Sequence, residues 1–526
     1  MRYLQQIVIV AVLMQLLVST WARTRFVREP SLVASSLWNE IEEIDNNESG
    51  SDHGVVDRST FWPSKAKKAY HYGMEERRKK YLGEPVNFQG GHSLQGLWAM
   101  PGRHKTISMK RTTMSSPVID RFDLFTIVFN IIISIIGGIV VNRLIPMLKE
   151  KFIKAQLWGY DLNKRNSKEI KVAESQGVIV AGIFLVLMFI MIAIVFSEHL
   201  HPESDFPNHK FVEYLAALLS ICCMVLLGFA DDVIDIRWNV KLWLPMIASL
   251  PLLLVYFANY HSTTIILPKP VRPYFGQQWN LGILYYVYMS MVAIFCTHAI
   301  NILAGVNGLE VGQSVIIAGS VLIFNLIELQ GICAEEHLFS LYFMIPLIAC
   351  SIPLLIRNWC PAEVFVGDTY CYFAGMTFAV IGILGHFSKT MLLFFIPQII
   401  NFLLSVPQLF KFIPCPRHRL PKLDPALNKL NPSDVEFKKK DLKPLGWLML
   451  RFFSLTKFIR YREYQNNDNE TMINTTNFTI INSVLCWFGP LHEEKLSRIL
   501  MLIQLVFGSL LTFFVRYYLV RFFYDS

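Results

Sequence analysis

The sequence predicts an all-α polytopic membrane protein with about ten transmembrane helices. Three observations carry this prediction. Of 526 residues, 53% are hydrophobic and 17% charged, below the ~25% charge of soluble globular chains, and mean hydropathy is +0.39. The apolar runs extend for ~20 residues, too long for barrel strands, which alternate over about 10. Lys and Arg concentrate in one alternate set of the loops between runs. These features exclude a disordered chain, a fibrous repeat and a soluble multidomain enzyme. The net charge of +9 lies mostly in loops, where it orients helices; it does not imply a nucleic-acid partner. None of the nine cysteines forms a CxxC pair, and most sit in apolar runs, where they read as small hydrophobes.

Met1-Arg2, the apolar stretch Ile7 to Val18 and Ser19-Thr20-Trp21-Ala22 describe a signal peptide over 1–22, or a signal anchor that is retained. Residues 23–120 are polar and show no sustained period, so they predict a disordered extension. That extension carries a glycosylation sequon at Asn47 and a basic run at Arg77-Arg78-Lys79-Lys80. The membrane region is 121–526. Spans are predicted at 122–147, 177–197, 211–230, 242–260, 281–299, 308–329, 337–356, 370–386, 390–410 and 497–520, with a long loop at 411–495.

Numbered from the first span, the odd loops contain 24 Lys and Arg and the even loops four: Lys210, Lys269, Arg272 and Lys389. The positive-inside rule therefore places the odd loops in the cytosol and the N-terminus in the lumen, as a signal peptide requires. The sequons at Asn469, Asn474 and Asn477 then face the cytosol and are expected to stay unmodified.

Polar residues at membrane depth gather in four odd loops. Loop three carries Asp231, Asp232 and Asp235, followed by Arg237 and Lys241. Adjacent acids at the end of a span are costly without a role, and such carboxylates suit Mg²⁺, although helix capping also accounts for them. Loop five, Thr297-His298-Ala299-Ile300-Asn301 through Gly305-Val306-Asn307-Gly308, interrupts an apolar run, as a short turn does or a break lining a cavity. Loop seven ends Phe365-Val366-Gly367-Asp368, an N-cap or a metal carboxylate. Loop nine opens Pro414-Cys415-Pro416-Arg417-His418-Arg419; arginine pairs bidentately with phosphate, and such a run also serves as a solvated face. Together the four loops predict one cytosol-facing site for a phosphate-bearing substrate with Mg²⁺.

The stretches Leu227-to-Trp238, Ala299-to-Ser314, Val364-to-Thr390 and Pro414-to-Arg419 resemble the polyprenyl-phosphate sugar-1-phosphate transferases. Pro-Cys-Pro-Arg-His-Arg, Phe-Val-Gly-Asp and Gly385-His386-Phe387-Ser388-Lys389-Thr390 point to the dolichol branch. The resemblance covers roughly residues 122–526. It implies ten helices and transfer of GlcNAc-1-phosphate from UDP-GlcNAc to dolichyl phosphate. It further implies an endoplasmic reticulum location, homodimers, and partnership with the next glycosyltransferase of the pathway. By resemblance, Asn301 and Asp368 hold Mg²⁺, and Asp231 and Asp232 match a catalytic aspartate pair. Tyr160, Asp161, Leu162, Glu174, Asn307, Arg417, His418 and Arg419 fall on UDP-GlcNAc positions. Lys241 and the segment Ile294, Phe295, Cys296, Thr297, His298, Ala299, Ile300, Asn301 and Ile302 fall on dolichyl-phosphate positions. Tyr160 replaces the family's Gln, Asp235 its Asn and His298 its Asn. The competing readings are a transferase for another sugar nucleotide or carrier, a nucleotide-sugar or lipid transporter, and a scaffold; the lumenal loops lack the matching polar groups a transporter needs.

Overall fold

The computed structural model describes residues 121–164, 170–200, 206–234, 236–260, 263–331, 333–416, 418–466 and 469–524. The signal segment 1–22, the extension 23–120, Asp235 and Arg417 lie outside the described residues.

In chain order, α1 (Arg121–Lys154) leads through a small antiparallel hairpin, β1 (Trp158–Tyr160) and β2 (Lys171–Ala173), into α2 (Gly177–Val195) and α3 (Asn208–Ile234). A broken apolar region follows, ending in α4 (Leu250–Tyr260), then a second hairpin, β3 (Thr264–Ile266) and β4 (Gln278–Asn280). Next come α5 (Ile283–Ile302), α6 (Leu309–Glu328), α7 (Ala334–Asn358) and α8 (Gly367–Leu384). After α9 (Ser388–Phe394) and α10 (Ile396–Leu409), the chain leaves the bundle and returns for a last span, Glu493–Tyr524.

Among the described residues, eight of these helices are long and apolar enough to cross a membrane, and α9 with α10 forms an apolar pair bent by 72°, the geometry of a broken span or a re-entrant loop. The bend falls beside Pro397, at the start of α10. The expected span at 242–260 is not one helix. Pro245 and Pro251 each lack an N–H, so the run divides into a turn at Leu244–Ala248 and the eleven residues of α4. Proline does not always divide a run, since α7 continues through Pro346 and Pro353.

The core helix is α8, which packs on α2, α3 and α5. Its mean hydropathy of 1.2 is the lowest of the eight spans, yet it is almost wholly buried. Protein rather than lipid surrounds it, so it tolerates Tyr, Thr and Cys. A Cβ at Gly375 would collide with the Thr297 backbone of α5. The two helices therefore meet backbone to backbone, as small residues permit in membranes.

The segment between α10 and the last span is more than a loop. It holds the hairpin β5 (Lys422–Asp424) and β6 (Lys429–Asn431), a sheet in the order β7-β9-β8 (Asp434–Lys438, Thr471–Thr476, Tyr461–Gln465), and helices α11 (Pro444–Leu455) and α12 (Ile480–Phe488). Ile413, Phe437, Leu450, Ile459, Ile473 and Phe478 give it its own core. Strands departing from the all-α expectation occur in the connections between helices, where water satisfies sheet edges that lipid cannot. Asn477 is buried, accepting from Gln408 Nε2 at 2.8 Å and donating to Ser433 Oγ at 2.8 Å, which leaves no space for a glycan.

Candidate active site

One end of the bundle gathers the termini of α3, α5 and α8 around Lys241. Asp231 ends α3, buried; its Oδ1 lies 2.9 Å from Lys241 Nζ, and its Oδ2 accepts from the Tyr372 hydroxyl at 2.9 Å. Lys241 Nζ also lies 3.1 Å from Asp368 Oδ2. Burial opposes the Lys241 charge, but Asp231 and Asp368 outweigh it, and the ammonium is held more firmly protonated than usual. Asp368 completes the group by accepting from Asn301 Nδ2 at 2.9 Å.

Asp232 sits differently from its neighbour. Its Oδ1 accepts from the Asp368 N–H at 2.6 Å, and its Oδ2 from the Thr369 N–H at 3.2 Å and hydroxyl at 2.5 Å. Both oxygens thus hold the first turn of α8, where anionic groups are favoured. Gly367, at φ +75°, allows the approach, because a Cβ there would strike the Asp232 carboxylate. The capping role and the acidic cluster, alternatives in the sequence, are divided between two adjacent aspartates.

The end of α5 that carries Asn301 is fixed by amides inside the bundle. Gln313 Nε2 donates to the Ile300 and Leu303 carbonyls at 3.2 and 2.9 Å, and Asn401 Nδ2 donates to Ile302 O at 3.2 Å. Gln398 Nε2 in turn bridges Gln313 and Gln504 at 2.7 and 2.8 Å. One turn before Asn301, the His298 ring meets the Tyr372 ring edge-on at 5.5 Å. Of the remaining dolichyl-phosphate positions, Cys296, Thr297, Ala299 and Ile300 are buried in protein, whereas Ile294, Phe295 and Ile302 are part-exposed.

Beside this group lies a cavity of about 220 Å³. Tyr160, Asp161, Leu162, Glu174, Asn301, Asn307 and Asp368 all line it, so the structure brings residues from loops one, five and seven together. The approach to α8 is stitched to the β1–β2 hairpin by Phe365 N–H to Ala173 O, 2.7 Å, and to the start of α2 by Gly177 N–H to Val366 O, 2.9 Å. Burial, then the nearby Asp368, pushes the Glu174 carboxyl up. Burial, then Glu493, does the same to Asp161.

Loop nine reaches the cavity through Leu420, which lines it. His418 is exposed. The Arg419 carbonyl accepts from Ser433 Oγ and Asn482 Nδ2 at 3.1 and 3.0 Å, anchoring the segment. Burial disfavours the charge of its guanidinium, whose Nη1 finds no partner among the described residues.

Several lining or supporting residues escape the sequence reading. Asn163 and Asn358 line the cavity, and Lys164, Glu493 and Ser497 stand behind it. Glu493 opens the last helix, four residues before the predicted span begins, so it reads as part of a polar loop.

The Glycosyl transferase family 4 model matches residues 214–386, which contain the aspartate pair, Asn301, Asn307 and Asp368. The chain is 42% identical over 404 residues to the UDP-N-acetylglucosamine–dolichyl-phosphate N-acetylglucosaminephosphotransferase of Saccharomyces cerevisiae, covering 72% of this chain and 88% of that protein. The chain belongs to this phosphotransferase family. The Dictyostelium discoideum enzyme of the same name is 44% identical over 391 residues, 70% of this chain and 84% of that one. The phospho-N-acetylmuramoyl-pentapeptide-transferase of Bacillus subtilis is 23% identical over 306 residues, 55% and 88%. As a member of the phosphotransferase family, the chain is a multi-pass membrane transferase, and Asp161, Asn301, Asn307 and Asp368 line one cavity.

Proposed function

We propose that the protein transfers GlcNAc-1-phosphate from UDP-GlcNAc to dolichyl phosphate, giving GlcNAc-pyrophosphoryl-dolichol and UMP. The observation that carries this reading is the junction of a polar cavity with the Asp231–Lys241–Asp368 group, in a chain so similar to the yeast enzyme.

A phosphate oxygen of dolichyl phosphate attacks the β-phosphorus of UDP-GlcNAc. The new P–O bond forms as the bond to UMP breaks, so the reaction is mainly positioning and charge neutralisation. Lys241 draws in the acceptor phosphate. Asp231, itself held by the Tyr372 hydroxyl, holds Lys241, and Asp232 holds the turn bearing Asp368. Arg417 and Arg419 neutralise the transferring group; Arg419 Nη1, without a partner among the described residues, is a donor suited to phosphate. Asn307 with Asp161, Leu162 and Glu174 receives the nucleotide.

The donor set suits Mg²⁺. Among the described residues no three His, Cys, Asp or Glu side chains form a closed metal cluster, whereas Asp368 and Asn301 offer one carboxylate and one amide beside the cavity. Mg²⁺ favours such a sparse oxygen set, completed by water and phosphate. When bound there it would withdraw charge from the diphosphate. On this reading the site faces the cytosol from the endoplasmic reticulum membrane, the N-terminus is lumenal behind a signal segment, and the enzyme works as a homodimer with the next glycosyltransferase of the pathway.

The test uses purified protein, Mg²⁺, dolichyl phosphate and UDP-GlcNAc labelled at the β-phosphorus. Label in the lipid with UMP released is expected. Release of UDP without labelled lipid means ordinary glycosyl transfer and overturns the reading; another sugar nucleotide as the better donor overturns the substrate assignment.

A further inference from the structure

The start of the last helix stands behind the cavity rather than in it. Glu493 is buried and is not among the lining residues. Its Oε1 accepts from the Asn307 backbone N–H and from Asn163 Nδ2, both at 3.0 Å. Its Oε2 lies 2.6 Å from Lys164 Nζ. One turn later, the Ser497 hydroxyl donates to the Asn307 carbonyl at 2.7 Å. The last helix therefore holds both backbone polar groups of Asn307, while the Asn307 side chain donates to Asp161 Oδ2 at 2.8 Å.

This carboxylate links parts of the chain that nothing in sequence brings together. Asn163 and Lys164 precede it by about 330 residues and Asn307 by 186. Removing it would take the acceptor from the buried Asn307 N–H and the nearest carboxylate from the part-buried Lys164, a larger loss than one ordinary hydrogen bond. The helix does not depend on Glu493 for its place in the bundle. Gln504 bonds to Gln398 and to Phe394 O, and Arg516 pairs with Glu328 at 3.5 Å, farther along the same span.

We propose that Glu493 and Ser497 are positioning residues of the donor site. They set the Asn307 loop and the Asn163–Lys164 turn at the spacing the uridine nucleotide requires, without touching it. This rests on the reading of the cavity as a UDP-sugar site.

The experiment compares full-length wild type with Glu493→Gln and Ser497→Ala, purified in detergent. KM is measured separately for UDP-GlcNAc and dolichyl phosphate, and UMP binding by calorimetry. For Glu493→Gln we expect KM for UDP-GlcNAc and Kd for UMP to rise about tenfold, the size of one charged hydrogen bond. The kcat and the KM for dolichyl phosphate should stay within about twofold, because the reacting end is untouched. Ser497→Ala removes one neutral bond and should give about threefold in the same constants, and Glu493→Asp should recover part of the loss. Unchanged nucleotide constants in both variants overturn the proposal, as does a joint loss in kcat and both KM values with lowered melting. Failure of the wild type itself to bind UMP would instead remove the nucleotide reading on which the proposal rests.

Discussion

Buried charge occurs at both ends of the bundle, and the two ends use it differently. The α6 helix begins just after Asn307 and Gly308 at the cavity and ends at Glu328, ~30 Å away for its twenty residues. At the far end Glu328 meets Arg516 at 3.5 Å and the Tyr517 hydroxyl at 3.0 Å, with Arg516 also over the Phe324 ring. Nearby, Lys210 lies 3.5 Å from Glu336, and His337 Nδ1 lies 2.8 Å from Asn325 Oδ1. At the cavity end, Asp368 meets Lys241 and Asn301, but its side chain keeps 27% exposure against 3% for Glu328. Charge inside a membrane protein is therefore not enough to mark a site. The end assigned here to function is the one where charged groups remain open to a cavity.

The comparison breaks most directly at Asp368. Asp368→Ala should lower transfer by about a thousandfold, the upper range for losing one charge-stabilising group, with membrane insertion and melting kept. Near-normal turnover in labelled-lipid assays would show that the cavity end is as structural as the other. Removal of divalent ions by a chelator should likewise silence the enzyme, with Mg²⁺ restoring it; full activity in chelator would exclude the Mg²⁺ assignment.

At the far end the expected effect is on stability. Glu328→Gln breaks a buried pair and should cost about 3 kcal/mol, seen as a lower melting point in detergent, while kcat of the folded fraction stays within about twofold. A selective fall in kcat would make the far end part of the machinery.

Tyr372→Phe probes the boundary between the two roles, since the hydroxyl acts on Lys241 only through Asp231. Loss of one bond to a charged group should reduce kcat about tenfold. Unchanged kcat would mean that Asp231 needs no help in holding Lys241. The smallest effect should come from Leu226→Ala on α3, close in sequence to the aspartates but facing outward. It should change melting by less than about 0.5 kcal/mol and leave transfer intact; a larger effect would assign that outward face a partner.

Much of this was legible in the residues. Long apolar runs dictate helices because lipid offers the backbone no partners, and α1 to α3 and α5 to α8 fall close to their predicted ranges. Acids, asparagines and glycines at run ends mark the cavity for the same reason, because they are expensive there without a role. The resemblance to the dolichol branch added identities that periodicity cannot supply. The broken region before α4 and the bent α9–α10 pair are less legible, because apolar length is the same whether or not a proline divides it.

The sequence by itself therefore determined the class of protein, most of its helices and several loops whose polar residues meet at the cavity, since each depends on local hydrophobicity and local charge. Only the tertiary structure decided that Asp231 holds Lys241 while adjacent Asp232 caps α8. It also decided that 411–495 folds on a core of its own, and that Glu493 belongs behind the cavity. Those outcomes depend on which groups lie within contact reach, and partners such as Asp232 with Asp368 or Glu493 with Asn163 are more than a hundred positions apart, so their meeting is set by helix packing.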